Sequence, residues 1–530
     1  MSSRRVLLIA SLLLVIGVPA LPQSSSFRVS PIKEASISDI HAAMEAGELT
    51  AVELVEMYLD RIEAYDKQGP AINAIIRINP RALDRAAKLD EQMAESGLVG
   101  PMHGIPVIIK DNYDTHDMPT TNGTLALKDS IPPDDAYQVR KLREAGAIVL
   151  AKSNMAEFAM SGAFSVSSIL AGYTRNPYDT SRATAGSSGG TAAAIAANFA
   201  TVGLGTDTGS SIRGPASHQS LVGFRSTMGL TSRDGIIPLN AARDVGGPIA
   251  RTVEDAVIVF ELLTGYDPAD PITAASEGKV PENYRQFLVK DGLAGARIGA
   301  LRELFPEDDT DPEVLRLMNK ALEDMKAAGA VIIDPVRIPD LEEIRESFKT
   351  GTSRLKYDFE RYLATLGPDA PYQTLDQIVE SNDFHPFLRR NLNRALERAK
   401  EQDGPPEEQA DYQHNMEVEQ RLREAVVKAM DDNAVEALIY PTFRYPPRLI
   451  GDENTTPLGA NSNPLSPPTG FPAFNVPMGF TSDGLPVGLQ LLGRAFDEPT
   501  LVRLSYSYEQ ATRHRRAPRS TPPLWRTGNQ

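Results

Sequence analysis

The stretch QVRKLREAGAIVLAK, residues 138–152, decides the fold class. The polar and apolar spacing over 138–145 predicts a helix, and Gly146 is typical of the residue that ends one. The apolar run that follows at 147–152 is typical of a buried strand. A helix that leads through a glycine into a buried strand indicates a sheet with helices packed against it.

The same succession recurs further along the chain. Pro312 stands at the first-turn position of a helical run that reaches Ala328, Gly329 ends this run, and AVIID at 330–334 follows as a strand. Upstream, the capping-box pattern TAVE at 50–53 predicts the start of one more helix. Together these patterns predict an α/β sheet protein.

Two later segments differ from this alternation. Residues 340–435 are rich in charge and helical pattern, with a break at 404–406, and predict a helical insertion or cap. Residues 441–477 contain nine prolines, too many for a central strand or a long helix, because proline lacks the N–H that both need. We therefore expect a long ordered loop packed over the sheet.

The N-terminus has the features of an export signal. Two arginines precede the apolar run VLLIASLLLVIGV at 6–18, which is too short to span a bilayer, and Val-Pro-Ala ends at Ala20. The pattern predicts a signal peptide at 1–20, a leader segment at 21–35 and a periplasmic or secreted mature protein. An uncleaved anchor is the alternative, and both general secretion and twin-arginine export fit. After cleavage we expect no stable membrane insertion.

Composition excludes several classes of function. A formal charge of −16 repels nucleic acid, so we expect no nucleic-acid partner. The absence of cysteine excludes disulfides, thiol catalysis and cysteine-ligated metal. The seven histidines are scattered, and none has a metal-binding spacing. We therefore expect neither a metal nor another cofactor.

Two glycine-serine stretches offer a nucleophile. TAGSSGGT at 184–191 fits the nucleophile-elbow pattern with Ser188 at its centre, but that pattern needs a buried strand before it, and the preceding segment is polar. VGLGTDTGSSIRGP at 202–215 has the apolar lead-in, and its glycine-rich turn carries Ser210 and Ser211. Successive amides of such a turn can stabilise a developing oxyanion.

Lys110 is the candidate base. It ends the apolar run GIPVIIK at 104–110, which predicts a buried strand that delivers its side chain. Burial disfavours the ammonium form, and lowering a lysine pKa from ~10.4 to near neutrality requires roughly 4 kcal/mol. A neutral lysine can then take the proton that histidine takes in other serine hydrolases.

Five motifs in order resemble the amidase signature family: GIPVIIKDN, TAGSSGGTAAA, GLGTDTGSSIRGPA, VGFRSTMGLTSRDGIIP and GPIARTVEDA. Weaker likeness continues through GYDPADP to GFPAFNVPMGFTSDGLPVGLQLLG near the C-terminus. SRDGIIP and GYDPADP are most similar to the peptide-amidase branch. The resemblance implies one α/β/α sandwich domain over 36–530 around a large twisted mixed sheet, instead of the two to four domains that length suggests.

The resemblance also implies the roles of the site residues. The family has two catalytic serines 24 residues apart, which selects Ser211 as nucleophile and Ser187, held by a cis peptide bond in the family, as the proton relay to Lys110. The oxyanion hole would be formed by the backbone amides of Thr208, Gly209, Ser210 and Ser211. Supporting roles fall to Ser188, Asp207 and Arg213.

The sequence departs from the family pattern at two positions. Ser210 and Ala185 each stand where glycine is usual. A positive φ at residue 210 would strain a serine there.

The predicted function is therefore an exported amidase that hydrolyses a carboxamide to a carboxylic acid and ammonia or an amine through an acyl-enzyme on Ser211. Its expected partner is a small amide or a short peptide amide, bound between walls from 155–165 and 441–477, and a homodimer is compatible with the sequence. Three alternatives stay open: hydrolysis of aryl anilides or carbamates, the glutaminase subunit of a tRNA-dependent amidotransferase, and a catalytically silent binding protein.

Overall fold

A computed structural model describes residues 32–160, 167–349, 353–401, 404–451 and 458–524. The predicted signal peptide at 1–20 and the leader as far as residue 31 lie outside the described residues. Within these ranges, no helix combines the length and the apolar character needed to cross a membrane.

The described residues form thirteen strands and fifteen α-helices. The strands are β1 Ile75–Ile78, β2 Pro106–Lys110, β3 Ile148–Ser153, β4 Ser167–Ser168, β5 Gly172–Tyr173, β6 Val202–Asp207, β7 Val222–Arg225, β8 Val245–Ala250, β9 Arg297–Ala300, β10 Val331–Ile333, β11 Ala437–Pro441, β12 Ala473–Phe480 and β13 Pro486–Leu492. The helices are α1 Ile37–Glu45, α2 Ala51–Tyr65, α3 Ala82–Ser96, α4 Tyr137–Glu144, α5 Gly189–Ala196, α6 Arg213–Ser217, α7 Val253–Leu263, α8 Pro312–Ala327, α9 Leu341–Glu346, α10 Leu355–Thr365, α11 Leu375–Ser381, α12 Arg389–Lys400, α13 Ala410–Asp432, α14 Ser466–Thr469 and α15 Glu498–Thr512.

Eleven of the strands form one mixed sheet in the order β1-β3-β2-β6-β8-β7-β12-β13-β11-β9-β10. Strand β2 runs parallel to both β3 and β6, whereas β6 and β8 are antiparallel. Helices flank the sheet, as the contacts of α5 with β2 and β6 and of α15 with β12 illustrate. The predicted α/β class and the large mixed sheet are confirmed.

The stretch at 138–152 folds as predicted. Helix α4 ends at Glu144, Gly146 has φ +97°, and all six residues of β3 are buried. A Cβ at position 146 would lie 2.7 Å from the Cα of His103, so this turn needs glycine for both its conformation and its packing. The capping box before α2 is also confirmed, since Thr50 Oγ1 accepts from the Glu53 amide and the Glu53 carboxylate accepts from the Thr50 amide.

The second instance of the pattern is confirmed at the edge of the sheet. Helix α8 leads through Gly329, with φ +94°, into β10. This strand pairs only with β9 in the sheet order, and Val331 is 44% exposed.

Helices α9 to α13 lie in the charge-rich section at 340–435. Part of this section has a hydrophobic cluster of its own, in which Phe359 and Leu388 are buried together with Phe158 and Ile237. The helical section thus packs against the two loops at 154–160 and 236–244, which also border the site described below.

One prediction about the proline-rich segment is wrong. Residues 473–477 belong to β12, inside the sheet between β7 and β13. Proline is tolerated there because β7 pairs only with Ala473 to Asn475, and a register irregularity separates Pro477 from Gly479 on the β13 side. Between β11 and β12 the described residues form a loop that contains only the four-residue helix α14.

Candidate active site

Two neighbouring parallel strands position the lysine of the site. Lys110 is the last residue of β2, and β6 lies beside it with Ile109 opposite Leu204. The Lys110 side chain is fully buried, and its Nζ donates to Ser187 Oγ at 2.7 Å and to Thr206 Oγ1 at 2.6 Å. The amine therefore meets two hydroxyl groups at the carboxyl ends of the two strands.

Burial governs the protonation of this amine. Desolvation lowers the pKa of Lys110 to about 7, while the carboxylates of Asp244 and Asp207 act in the opposite direction. A large fraction of Lys110 is consequently neutral at pH 7, as a proton acceptor requires.

The first serine stretch connects this lysine to helix α5. The Gly186–Ser187 peptide bond is cis, and the Ser187 carbonyl accepts from the amide of Ala156. Ser188 Oγ donates to the carbonyl of Thr206 and accepts from its amide, at 3.1 and 3.2 Å. Ser187 thus faces the lysine, whereas the hydroxyl of Ser188 is bound to strand β6.

The loop that follows β6 folds around a buried carboxylate. Asp207 accepts from Arg213 Nε at 3.0 Å and from the Ile212 amide at 3.2 Å, and Arg225 lies at 3.3 Å. Burial alone would raise the pKa of Asp207, but the two guanidinium groups outweigh it and lower the pKa to about 2. Arg213 also donates to the carbonyl of Gly209 at 2.6 Å, so this ion pair fixes the loop at 208–211.

A second carboxylate holds the same loop from the other side. Asp244 accepts from Thr208 Oγ1 at 2.5 Å and from the amides of Leu239 and Asn240, both at 2.9 Å. Burial raises the pKa of Asp244. The carboxylate links the 208–211 loop to the 236–244 loop.

A cavity of about 310 Å³ opens beside these loops, and Ser211 lines it. Ser211 is 7% exposed, whereas Ser187 and Lys110 are fully buried. The 155–165 segment contributes Ala159 and Met160, and its residues 161–165 lie outside the described residues. The 441–477 segment contributes Phe443, Arg448, Leu458, Ala460 and Asn463, and further lining residues are Ala183, Ala185, Gly186, Thr208, Gly209, Ser210, His218, Leu239, Asn240 and Arg243.

Sequence patterns assign no role to several residues of this site. Thr206, the second partner of Lys110, and Asp244 had no assigned role, and His218 was one of seven scattered histidines. His218 is buried, and its ring packs against that of Phe443 with the centroids 4.3 Å apart and the planes tilted by 34°. Burial lowers the pKa of His218 to about 3. Its imidazole is therefore a neutral part of the cavity wall.

The two departures from the family pattern have different consequences. Ser210 is not among the residues with positive φ, so it carries no left-handed strain. Ala185 has φ +57°, a conformation that favours glycine. The strained position therefore lies directly before Gly186.

The described residues contain no group of three or more histidine, cysteine, aspartate or glutamate side chains arranged to hold a metal ion.

The large mixed sheet and the motifs around Lys110, Ser187 and Ser211 define a protein of the amidase class. The Amidase family model matches residues 53–502, and the chain belongs to this family. Membership of the Amidase family supports amide hydrolysis as the activity of this chain.

Individual relatives divide between two kinds of protein. A probable amidase of Arabidopsis thaliana is 33% identical over 98% of this chain and 98% of its own length. A glutamyl-tRNA(Gln) amidotransferase subunit of Gloeothece citriformis is 35% identical over 91% of this chain and 99% of its own. Among solved structures, the peptide amidase of Stenotrophomonas maltophilia aligns with a TM-score of 0.82 and 36% identity, covering 93% of this chain and 100% of that chain.

Proposed function

We propose that this protein hydrolyses primary carboxamides, including those of short C-terminally amidated peptides, through an acyl-enzyme on Ser211. The observation that carries the proposal is the buried amine of Lys110, which lies 2.7 Å from Ser187 Oγ. Gly186, directly before Ser187 in the chain, lines the same cavity as Ser211. The lowered pKa of Lys110 supports a role as proton acceptor near neutral pH.

In the proposed reaction, Ser211 Oγ attacks the carboxamide carbon, and its proton passes through Ser187 to neutral Lys110. The carbonyl oxygen becomes negative and is stabilised by backbone amides of the 208–211 loop. As the C–N bond breaks, protonated Lys110 returns the proton through Ser187 to the leaving nitrogen. Water then attacks the acyl carbon, its proton follows the same path to Lys110, and that proton returns to Ser211 as the acid leaves.

Likeness to the peptide amidase, at 36% identity over nearly the whole chain, supports peptide amides as the substrate class. Mass spectrometry of a panel of peptide amides tests this assignment. Each turnover should add about one mass unit as amide becomes acid, and internal peptide bonds should survive, because the reaction replaces only the terminal amide nitrogen. Cleavage of aryl anilides or carbamates with every primary amide untouched would contradict it.

The amidotransferase relatives support a second candidate, the glutaminase subunit of a tRNA-dependent amidotransferase. The two candidates differ in whether the chain works alone. Hydrolysis of peptide amides by the purified chain favours the amidase. Glutamine hydrolysis that appears only with partner subunits favours the amidotransferase.

We propose export on the basis of the predicted signal peptide at 1–20. The measurement is the N-terminal sequence of protein recovered from the periplasm or the medium of a bacterial host. A start near Leu21 supports export, and an intact Met1 in a cytosolic product contradicts it.

A further inference from the structure

The cavity at Ser211 continues into a second one. This second cavity has a volume of about 300 Å³, and Asn240, Arg243 and Asn463 line both. It lies between the 236–244 loop, the end of α9 and helix α13. A substrate whose carboxamide is at Ser211 can thus extend past Arg243, since the two cavities adjoin there.

The second cavity combines apolar side chains with positive charge. Phe348, Tyr412 and Met416 line it, and Met416 is 49% exposed. Arg345 and Lys349 line it as well, both on exposed positions. Exposed apolar groups next to cations are typical of a binding surface for a chain that carries both apolar and anionic groups.

The cations of this cavity differ in whether they already have an acidic partner. Arg243 pairs with Glu419 at 2.7 Å and lies over the Phe348 ring. Within the part of the chain that the structure describes, Arg345 and Lys349 form no ion pair, and Glu419 is the only acidic side chain that lines the cavity. The wall therefore has an excess of two positive charges in a protein of formal charge −16.

The backbone that carries one of these cations is fixed. Asn415 of α13 accepts from the Lys349 amide at 2.8 Å and donates to the Lys349 carbonyl at 3.1 Å. His414 makes a further contact with the carbonyl of Ser347 at 2.9 Å. The cationic end of the 345–349 segment is thus attached to helix α13, which lines the same cavity.

We propose that this second cavity binds the part of the substrate remote from the carboxamide and selects an anionic group there, with Arg345 and Lys349 as the selecting residues. The inference rests on the proposed function and specifies its substrate class: amides whose acyl chain carries a carboxylate several bonds from the reacting carbon, such as an amidated peptide with an acidic side chain upstream. Attraction at an exposed rim acts on encounter and on specificity.

The test uses N-acetylated peptide amides of equal length with one Glu, Gln or Lys at successive positions before the amide. At the position that reaches the second cavity, kcat/KM for Glu should exceed that for Gln by about three- to tenfold, the range for one or two exposed ion pairs, and Lys should be poorest. The preference should weaken in high salt, because the charges are exposed.

Charge reversal assigns the preference to the two cations. Arg345→Glu and Lys349→Glu should each reduce the Glu-to-Gln ratio, and the double variant should favour Lys. Lys88→Glu makes the same change of net charge on α3, outside both cavities, and should leave the ratio as in the unmodified protein. Equal Glu-to-Gln ratios in the unmodified protein and all four variants would overturn the inference.

A binding measurement distinguishes a failure of this inference from a failure of the proposed function. Ser211→Ala protein should bind the Glu peptide more tightly than the Gln peptide, measured by calorimetry. Preferential binding without any hydrolysis by the unmodified protein would reject the proposed function and support the inference. Hydrolysis of all three peptides at equal rates would support the function and overturn the inference. Binding of none of them by the Ser211→Ala protein would also overturn the inference.

Discussion

Lys110 Nζ lies 2.7 Å from Ser187 Oγ, and both side chains are fully buried. The amine of Lys110 has hydroxyl partners. Lys152, another buried lysine of this region, instead pairs with the carboxylate of Asp111 at 3.2 Å. Burial lowers the pKa of Lys110 to about 7, so Lys110 is suited to proton transfer near neutral pH.

Replacing any of the three proposed catalytic residues, Lys110, Ser187 and Ser211, should abolish most of the activity. We expect kcat/KM for a primary amide to fall most for Ser211→Ala and by several orders of magnitude for Ser187→Ala and Lys110→Ala, on the scale of other triad members. Ser96→Ala, the same change at an exposed serine, is the control. A fluorophosphonate probe should label Ser211, and an adduct on Ser188 would instead support the nucleophile elbow.

The pH dependence of the reaction follows from Lys110. Its amine must be neutral to accept a proton, so kcat/KM should rise with pH through about 7 and level off above it. The measurement is a pH profile on a neutral amide at constant ionic strength, with and without EDTA. We expect the two profiles to coincide, and a loss of activity with EDTA that zinc restores would contradict the mechanism.

Lys110 should also reduce stability at neutral pH. Its pKa is about 7 in the folded protein and about 10.5 when exposed, so between these values the unfolded chain binds the extra proton. Stability therefore rises with pH across this window, and Lys110→Met should raise the free energy of unfolding below pH 7 by up to ~5 kcal/mol. The gain should narrow toward pH 10, as chemical unfolding at several pH values can show.

Lys152→Met is the matched comparison for that experiment. Because Lys152 pairs with Asp111, its removal leaves a buried carboxylate without its ion-pair partner. We expect a loss of about 3–5 kcal/mol at pH 7, opposite in sign to the effect at Lys110. Equal losses for both variants would show that the amine of Lys110 contributes net stability.

Local sequence patterns predicted many of the helices and strands, because the residues that begin, end or bury these elements lie close together in the chain. The capping box at Thr50, the glycine at 146 and the apolar run that ends at Lys110 each act within a few residues. Pro477 shows the limit of this reasoning. Its position in β12 depends on where the neighbouring strand β7 stops pairing, and this is a property of the sheet.

Only the site residues that lie within sequence motifs could be predicted from the sequence. The motifs predicted Lys110, Ser187 and Ser211 as site residues. Thr206 contacts the lysine because β2 and β6 are neighbouring strands, and no local pattern encodes this pairing. The cavity residues of the 236–244 loop were missed for the same reason, since they line one cavity with Ser211 through tertiary folding alone.

Ala185→Gly should relieve backbone strain. Residue 185 has φ +57°, a conformation that costs an alanine about 1–2 kcal/mol and that glycine adopts without this strain. The greater conformational entropy of glycine in the unfolded chain offsets about 0.5–1 kcal/mol of the relieved strain. We expect a net stabilisation of up to about 1 kcal/mol in chemical unfolding. Ala87→Gly within α3 is the control and should destabilise by a similar amount. The same sign at both positions would contradict strain at residue 185.

Asp244→Asn should shift the pH profile in a direction that a purely structural role does not explain. The Asp244 carboxylate raises the pKa of Lys110 against the effect of burial, so its removal should move the acid limb of kcat/KM to lower pH. Because asparagine replaces one acceptor oxygen with a donor, it also weakens the bonds to Thr208 and the 239–240 amides, and kcat should fall.

Asp358→Asn is the control, since Asp358 accepts from the Ala241 amide of the same loop but is not among the charges that act on Lys110. A lower kcat with an unmoved acid limb in both variants would reduce Asp244 to a loop anchor, whereas a shift confined to Asp244→Asn would place its charge in the control of Lys110.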